Sequence, residues 1–303
     1  MSANHSVTDG PAISVKGVAR SFGKKAVLRG VTASAARGRV VGLLGRNGEG
    51  KTTLFHILLD ILAADSGEVS LLGIRPDGTG AVRREVGYVP ERPVFHEFLD
   101  IGEVLRFRST LFPRWDAGKA ADLARRLGLD LATRIRGASK GTLGKLAWVC
   151  AAAHDPALFL LDEPTSGLDA LVREDVLGQM IGELHDTGKT ILVANHRMEE
   201  LAGVLDEVWV LRDGVIAGVH EVDALRSEAC RVSGRLRDGQ SLPEDVPLLD
   251  ARVEGALVHC ALLAKSAFER LAASGVLEGV DRSPLPLEES MKLLLRDPQG
   301  GLR

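Results

Sequence analysis

The chain has 303 residues, 45% of them hydrophobic and 26% charged, with a formal net charge of -3. That is the balance of a soluble globular chain, long enough for one large domain and a small one, and it leaves no basic surplus to draw in nucleic acid. Three dispersed cysteines, Cys150, Cys230 and Cys260, fit neither a disulfide framework nor a zinc site and agree with a reducing compartment.

Residues 1–12 are polar, carry no apolar leader and read as disordered. No run approaches 18 uncharged apolar residues, so no spanning helix is expected, and a membrane role would need another chain to supply the spanning part. "ISVKGVARSF" and "AVLRGVTASA" alternate like half-buried strands. "RVVGLLG" (39–45) is a continuous apolar run ending in glycine, as a buried parallel strand does. Helical spacing follows in "KTTLFHILLDIL", then strands at 67–73 and 85–90. Residues 101–128 read as two helices, the second capped by Asp116.

"KLAWVCAAAH" reads as a helix, "ALFLLD" (157–162) as a buried strand, 170–187 as a helix closed by Gly188, and "KTILVAN" (189–195) as another buried strand. A hairpin turns at Asp213-Gly214. Strands alternating with helices imply an α/β domain with a mainly parallel core sheet. The texture changes near Val222. The boundaries expected are therefore a disordered 1–12, an α/β domain over 13–222 and a small α+β accessory domain over 223–303.

"GRNGEGKT" (45–52) fits G-x-x-x-x-G-K-[ST] between a predicted strand and a predicted helix, the setting of a phosphate loop. Gly45, Gly48 and Gly50 permit backbone conformations that aim amides at one anion. Arg46, Asn47 and Glu49 complete the loop. The helix N-terminus adds partial positive charge. Lys51 brings an ammonium to the β- and γ-phosphates, Thr52 a hydroxyl to Mg²⁺, and Thr53 a hydrogen bond to phosphate. "LFLLDEP" (158–164) ends an apolar strand in Asp162 and Glu163. Asp162 suits Mg²⁺ held through water, and Glu163 suits the base that polarises an attacking water. Taken alone, that pair reads more readily as a strand followed by a polar turn.

These motifs in this order resemble the ATP-binding cassette (ABC) ATPases over about residues 12–220. "GRNGEGKT" looks like the family's Walker A and "LFLLDE" like its Walker B. "SGLD" (166–169) looks like the D-loop, and "VANHR" (193–197) like the strand that carries the switch histidine. The resemblance implies that His196 contacts the γ-phosphate, although a lone histidine at a strand end would otherwise read as structural. It also implies that Phe22 stacks on adenine. "VGYVPERP" matches the Q-loop with Glu91 where glutamine is usual; a carboxylate can serve there as a metal or water ligand. The signature loop, commonly LSGGQ, is here Ala138-Ser139-Lys140-Gly141-Thr142. Ser139 and Gly141 are kept. Lys140, like "FPRWDAGKAADLARRLGLD", is similar to exporter-type cassettes of the ABC-2 kind.

The family's mechanism then implies a head-to-tail dimer of such chains around two ATP. Ser139, Lys140 and Gly141 reach the partner's nucleotide, and Asp169 crosses the interface. Implied partners are a transmembrane permease and a second ATP-binding subunit, most simply a second copy of this chain, at the cytoplasmic face of a bacterial membrane. A soluble ABC ATPase with a non-transport role, regulatory or in translation or repair, is the rival. Those of translation and repair typically carry two cassettes or a coiled-coil insertion, and neither is visible here, while retention of Lys51, Asp162, Glu163 and His196 argues against a non-catalytic regulatory module.

Overall fold

The computed structural model describes residues 10–164, 181, 182, 184, 186–195 and 198–296. The central sheet has the strand order β5-β6-β7-β3-β8-β9. Its strands are β3 (Val40–Leu44), β5 (Val86–Val89), β6 (Leu158–Asp162), β7 (Thr190–Ala194), β8 (Glu207–Arg212) and β9 (Val215–Glu221). All pairings are parallel except β8 with β9.

β3, β6 and β7 are buried at every position, because both faces of the sheet are covered. Leu158, Leu160 and Leu192 face one core with Leu54, Phe55 and Leu58 of helix α1 (Lys51–Leu58). Phe159, Leu161, Ile191 and Val193 face a second core with Ala147 and Trp148 of α4 (Lys140–Ala152). Successive side chains on a strand point opposite ways, so a strand covered on both sides must be apolar at every residue. An antiparallel sheet, β2-β1-β4, closes the first core. Its strands are β1 (Ile13–Phe22), β2 (Lys25–Ala35) and β4 (Ser66–Leu71).

Helix α1 stops four residues short of the sequence expectation. Asp60 adopts φ 57°, and its carboxylate accepts the amides of Gly78 and Gly80. The helical spacing of Ile61 and Leu62 thus belongs to a turn. The other expectations hold more closely. α2 (Ile101–Ser109) begins at an Asp100–Glu103 capping box, and α3 (Ala117–Arg126) begins at Asp116, which accepts the amide of Lys119. The β8–β9 turn has positive φ at both Asp213 and Gly214, as a two-residue hairpin loop requires. The expected helix over 170–187 lies mostly outside the described residues. No helix among the described residues is long and apolar enough to cross a membrane.

Beyond Val222 the chain builds α5 (Val222–Glu228) and then a four-stranded antiparallel sheet in the order β11-β12-β10-β13. Its strands are β10 (Cys230–Leu236), β11 (Leu249–Glu254), β12 (Leu257–Leu262) and β13 (Leu277–Pro284). α6 (Lys265–Ser274) covers one face of that sheet, burying Ala267 and Leu271 against Val232, Val258 and Leu262. The last helix, α7 (Leu287–Leu294), returns to the central sheet and inserts Met291 and Leu294 into its second core. Each such apolar side chain, once fully buried, contributes about 1.5–3 kcal/mol.

His154, just past α4, is 1% exposed and stacks on Phe112 with ring centroids 4.2 Å apart. Burial pulls its pKa from the ordinary 6.5 down to about 4, and the charges of Arg108 and Arg114 act in the same direction. The folded chain therefore keeps this ring neutral while the unfolded chain takes up a proton below its ordinary pKa. The stability it contributes is present above pH 6.5 and is lost as pH falls toward 4. Wild type is expected to lose about 2 kcal/mol between pH 7.5 and pH 5 through this one group. Urea midpoints of wild type and His154→Leu at both pH values measure it: the variant should lose this part of the pH dependence. Equal pH slopes for the two proteins would rule it out.

Candidate active site

The loop between β3 and α1 wraps the N-terminus of α1. Gly50, its N-cap residue, has φ 107°, and a Cβ there would lie 2.7 Å from Leu28 Cδ2. Any other residue would be strained and would push the loop off β2. Gly45 has a different reason to be glycine. Its backbone is ordinary, but a Cβ would meet the Leu211 carbonyl at 2.9 Å. The sequence reading assigned Gly45 to unusual backbone conformation; close packing against β8 is what demands it.

Lys51 is 6% exposed. Its Nζ donates to the carbonyls of Gly45 at 2.8 Å and Arg46 at 3.3 Å, and lies 3.8 Å from Glu163 Oε1. The ammonium is thus folded back over the loop that the α1 amides face. Thr52 donates its hydroxyl to Asp162 Oδ2 at 2.7 Å. The other oxygen, Oδ1, is buried without a hydrogen-bond partner among the described residues. Burial pushes the Asp162 carboxyl above its usual range; the charges of Glu163 and Glu91 add to this, while the Thr52 hydrogen bond and Lys51 oppose it. Burial also raises the Tyr88 phenol, helped by Asp162 and Glu91. A buried carboxylate oxygen without a donor, beside a hydroxyl and a second carboxylate, is a hard-oxygen set that fits Mg²⁺.

Glu163 takes φ 49°, and its amide donates to the Ala194 carbonyl at 2.9 Å. Residues that alternate along a strand would face opposite ways. The left-handed step at Glu163 instead lets both adjacent acids border one cleft. That cleft has a volume of about 680 Å³ and is lined by Phe22, Asn47, Gly48, Gly50, Lys51, Thr52, Thr53, Glu91, Asp162 and Glu163. Lys25 and Val27 line it as well; the sequence reading passed over both. Their signal was the register, since Lys25 is the cross-strand partner of Phe22. At the far end Phe22 is half-exposed. The Arg20 guanidinium lies 5.2 Å from its ring centroid and is held by Asp65 at 2.7 Å.

Two loop residues turn their side chains elsewhere. Glu49 Oε2 accepts the Asp213 amide at 2.6 Å, and Arg46 donates to the Leu295 carbonyl at 3.4 Å. Ser139 caps α4, accepting the Thr142 amide at 3.1 Å. Ser139, Lys140 and Gly141 are not among the residues that line the cleft. Asp169 and His196 lie outside the described residues. Packing fixes the position of α4, because a Cβ at Gly87 would sit 2.7 Å from the Ala151 carbonyl.

A glycine-rich loop at a helix N-terminus, a buried lysine over it and an Asp-Glu pair closing a parallel strand define a P-loop nucleotide-binding ATPase. The ABC transporter family model matches residues 28–166. YtrB, an ABC transporter ATP-binding protein of Bacillus subtilis (strain 168), is 28% identical over 261 residues, 85% of this chain and 88% of that protein. The Nod factor export ATP-binding protein I of Bradyrhizobium sp. (strain SNU001) is 32% identical over 226 residues, 72% of each chain. A solved ATP-binding subunit of an ABC transporter aligns with a TM-score of 0.66 at 30% identity, over 71% of this chain and 92% of that one. A dimeric cassette solved with ADP and Pi shares the fold at TM-score 0.62 and 21% identity, over 69% of this chain and 98% of that one. The chain belongs to the ABC transporter ATP-binding proteins. It binds and hydrolyses ATP.

Proposed function

We propose that this chain is the nucleotide-binding subunit of a bacterial ABC exporter, working as a homodimer against a separate membrane permease at the cytoplasmic face. Residues 13–222 would form the cassette and 223–303 an accessory domain; the expected disorder of 1–12 does not extend to Ala12, which is buried in the first core and bonded to Ala35 and Leu72. Phe22 would stack on adenine. The amides of residues 45–53 and the Lys51 ammonium would hold the phosphates, with the Thr53 hydroxyl on the same oxygens. Thr52, Asp162 and Glu91 would hold Mg²⁺, which would neutralise negative charge on the phosphates. Glu163 would take the proton of the attacking water, and His196 would contact the γ-phosphate. Ser139, Lys140, Gly141 and Asp169 would act on the other copy's nucleotide, which is why a loop that does not line its own cleft keeps a capped helix N-terminus. The exporter reading is supported by Lys140 and by similarity to Nod factor export proteins.

The observation that carries the permease reading lies just after Glu91. Val94 is 90% exposed and Phe98 70% exposed, and Phe107 of α2 and Leu111 just beyond it are also exposed. Large apolar side chains left exposed close in sequence to Glu91, which lines the nucleotide cleft, support a protein-docking surface there. It would pass motion from the γ-phosphate to a partner. Replacing Val94 and Phe98 together by Asp should release the chain from the membrane fraction by about tenfold or more, since central apolar anchors dominate interfaces. ATPase activity of the purified variant should stay within about twofold of wild type, because exposed sites contribute little to folding. A double variant that remains on the membrane would contradict the assignment.

A further inference from the structure

A second cleft lies behind the phosphate loop, where β8 and β9 meet α6 and α7. Its volume is about 280 Å³, at the small end of the roughly 300–1,000 Å³ range of ligand pockets. Val210, Leu249, Leu263, Ala267, Leu293 and Leu294 wall it. Arg212 and Arg296 also line it. Arg296 is paired with Asp250, which accepts it at 2.8 Å and also accepts Arg252 at 3.4 Å; Arg212 has no carboxylate on it among the described residues and bonds to backbone carbonyls. With two guanidiniums and no carboxylate among its described lining residues, the polar end of an otherwise apolar cavity is positive.

This cleft is tied to the nucleotide site through consecutive carbonyls at the end of α7. Arg212 donates to the carbonyls of Leu294 and Arg296, each at 2.8 Å. Arg46, inside the phosphate loop, donates to the carbonyl between them, that of Leu295, at 3.4 Å. The residue after Arg212 donates its amide to Glu49 of the same loop. The α7 end is therefore a latch: one arginine of the cleft and one of the phosphate loop hold neighbouring carbonyls, while Leu293, Leu294 and Arg296 line the cleft from the same turn.

We propose that this cleft binds a small anion with an apolar body, of the short-chain carboxylate class, and that its occupancy changes nucleotide affinity through the α7 latch. The carboxylate sits at Arg212 and Arg296 and the hydrocarbon against the Leu and Ala walls. A guanidinium recognises a planar carboxylate in two parallel hydrogen bonds, which an ammonium or alcohol headgroup cannot reproduce. A ligand that favours one position of the α7 end shifts the phosphate loop by the difference in its affinity for the two positions, and ATP must act back on the ligand by the same factor.

The probe is octanoate, titrated into the full chain by calorimetry and by ligand-observed NMR, with octylamine and 1-octanol in parallel. One saturable site is expected for octanoate, with octylamine and octanol at least about tenfold weaker. Arg296→Gln should weaken octanoate about tenfold. Ala217→Trp should abolish binding, because Ala217 is an exposed lining residue on β9 and a bulky side chain there fills the mouth; unchanged ATP affinity shows that this variant has folded. Saturating octanoate should move the Kd for ATP about fivefold or more in wild type. Equal binding of octylamine, or octanoate binding that survives Ala217→Trp, would overturn the site. Octanoate binding with no change in ATP affinity would overturn the coupling.

Discussion

Glu163→Gln is expected to lower kcat for ATP hydrolysis by about 10²–10⁴, the range for removing a general base, while leaving ATP binding intact. The side chain is buried at the end of β6, with its amide fixed to the Ala194 carbonyl. Glutamine keeps the volume and the acceptor oxygen, so the cleft should keep its shape. What it removes is the capacity to take a proton from water. It also removes the negative charge 3.8 Å from Lys51, which weakens no phosphate contact and leaves the ammonium with one competitor fewer. Phosphate release under saturating ATP, paired with a calorimetric ATP titration, separates the two effects. Turnover within threefold of wild type would show that another group activates the water.

Lys51→Ala should reduce kcat/KM by about 10²–10³, corresponding to about 3–4 kcal/mol of charge stabilisation lost from the transferred phosphoryl group. Lys51 Nζ bonds to two carbonyls of the loop, so the ammonium is pre-positioned and needs little reorganisation when phosphate arrives. Alanine leaves those carbonyls with one donor fewer and the site without its fixed cation. Because the loop is also held by Gly50 against β2 and by Glu49 on the hairpin amide, the fold should survive; a thermal midpoint within a few degrees of wild type checks this. Loss of both ATP affinity and turnover is expected. A variant that turns over normally would remove Lys51 from the phosphate clamp.

The sequence was most legible where one physical constraint dominates. Apolar runs marked β3, β6 and β7 because a strand covered on both faces has no polar position. A capping residue, Asp116, marked α3. Asp213-Gly214 marked the hairpin, since few residues tolerate positive φ twice in succession. Around the nucleotide the motif residues Lys51, Thr52, Asp162, Glu163, Glu91 and Phe22 converge on one cleft, although they are spread over 142 positions from Phe22 to Glu163 (163 − 22 + 1).

Less legible were features set by tertiary contact. The end of α1 depends on Asp60 reaching Gly78 and Gly80, which no local pattern encodes. Lys25 enters the cleft through strand register. Arg46 and Glu49 sit in the phosphate motif, yet their side chains secure the C-terminal helix and the β8–β9 turn. The return of α7 into the second core was also invisible, because an amphipathic helix does not say which surface it covers. That return ties residues past Val222 to the nucleotide loop through Arg46.

The most direct test of ATP hydrolysis between two copies is the mass of Glu163→Gln in solution, measured by light scattering with and without ATP and Mg²⁺. A dimer that retains two ATP, and reverts to monomer when nucleotide is removed, is expected. A variant that binds ATP fully and stays monomeric would contradict it, because Ser139 and Gly141 would then have no second nucleotide to meet.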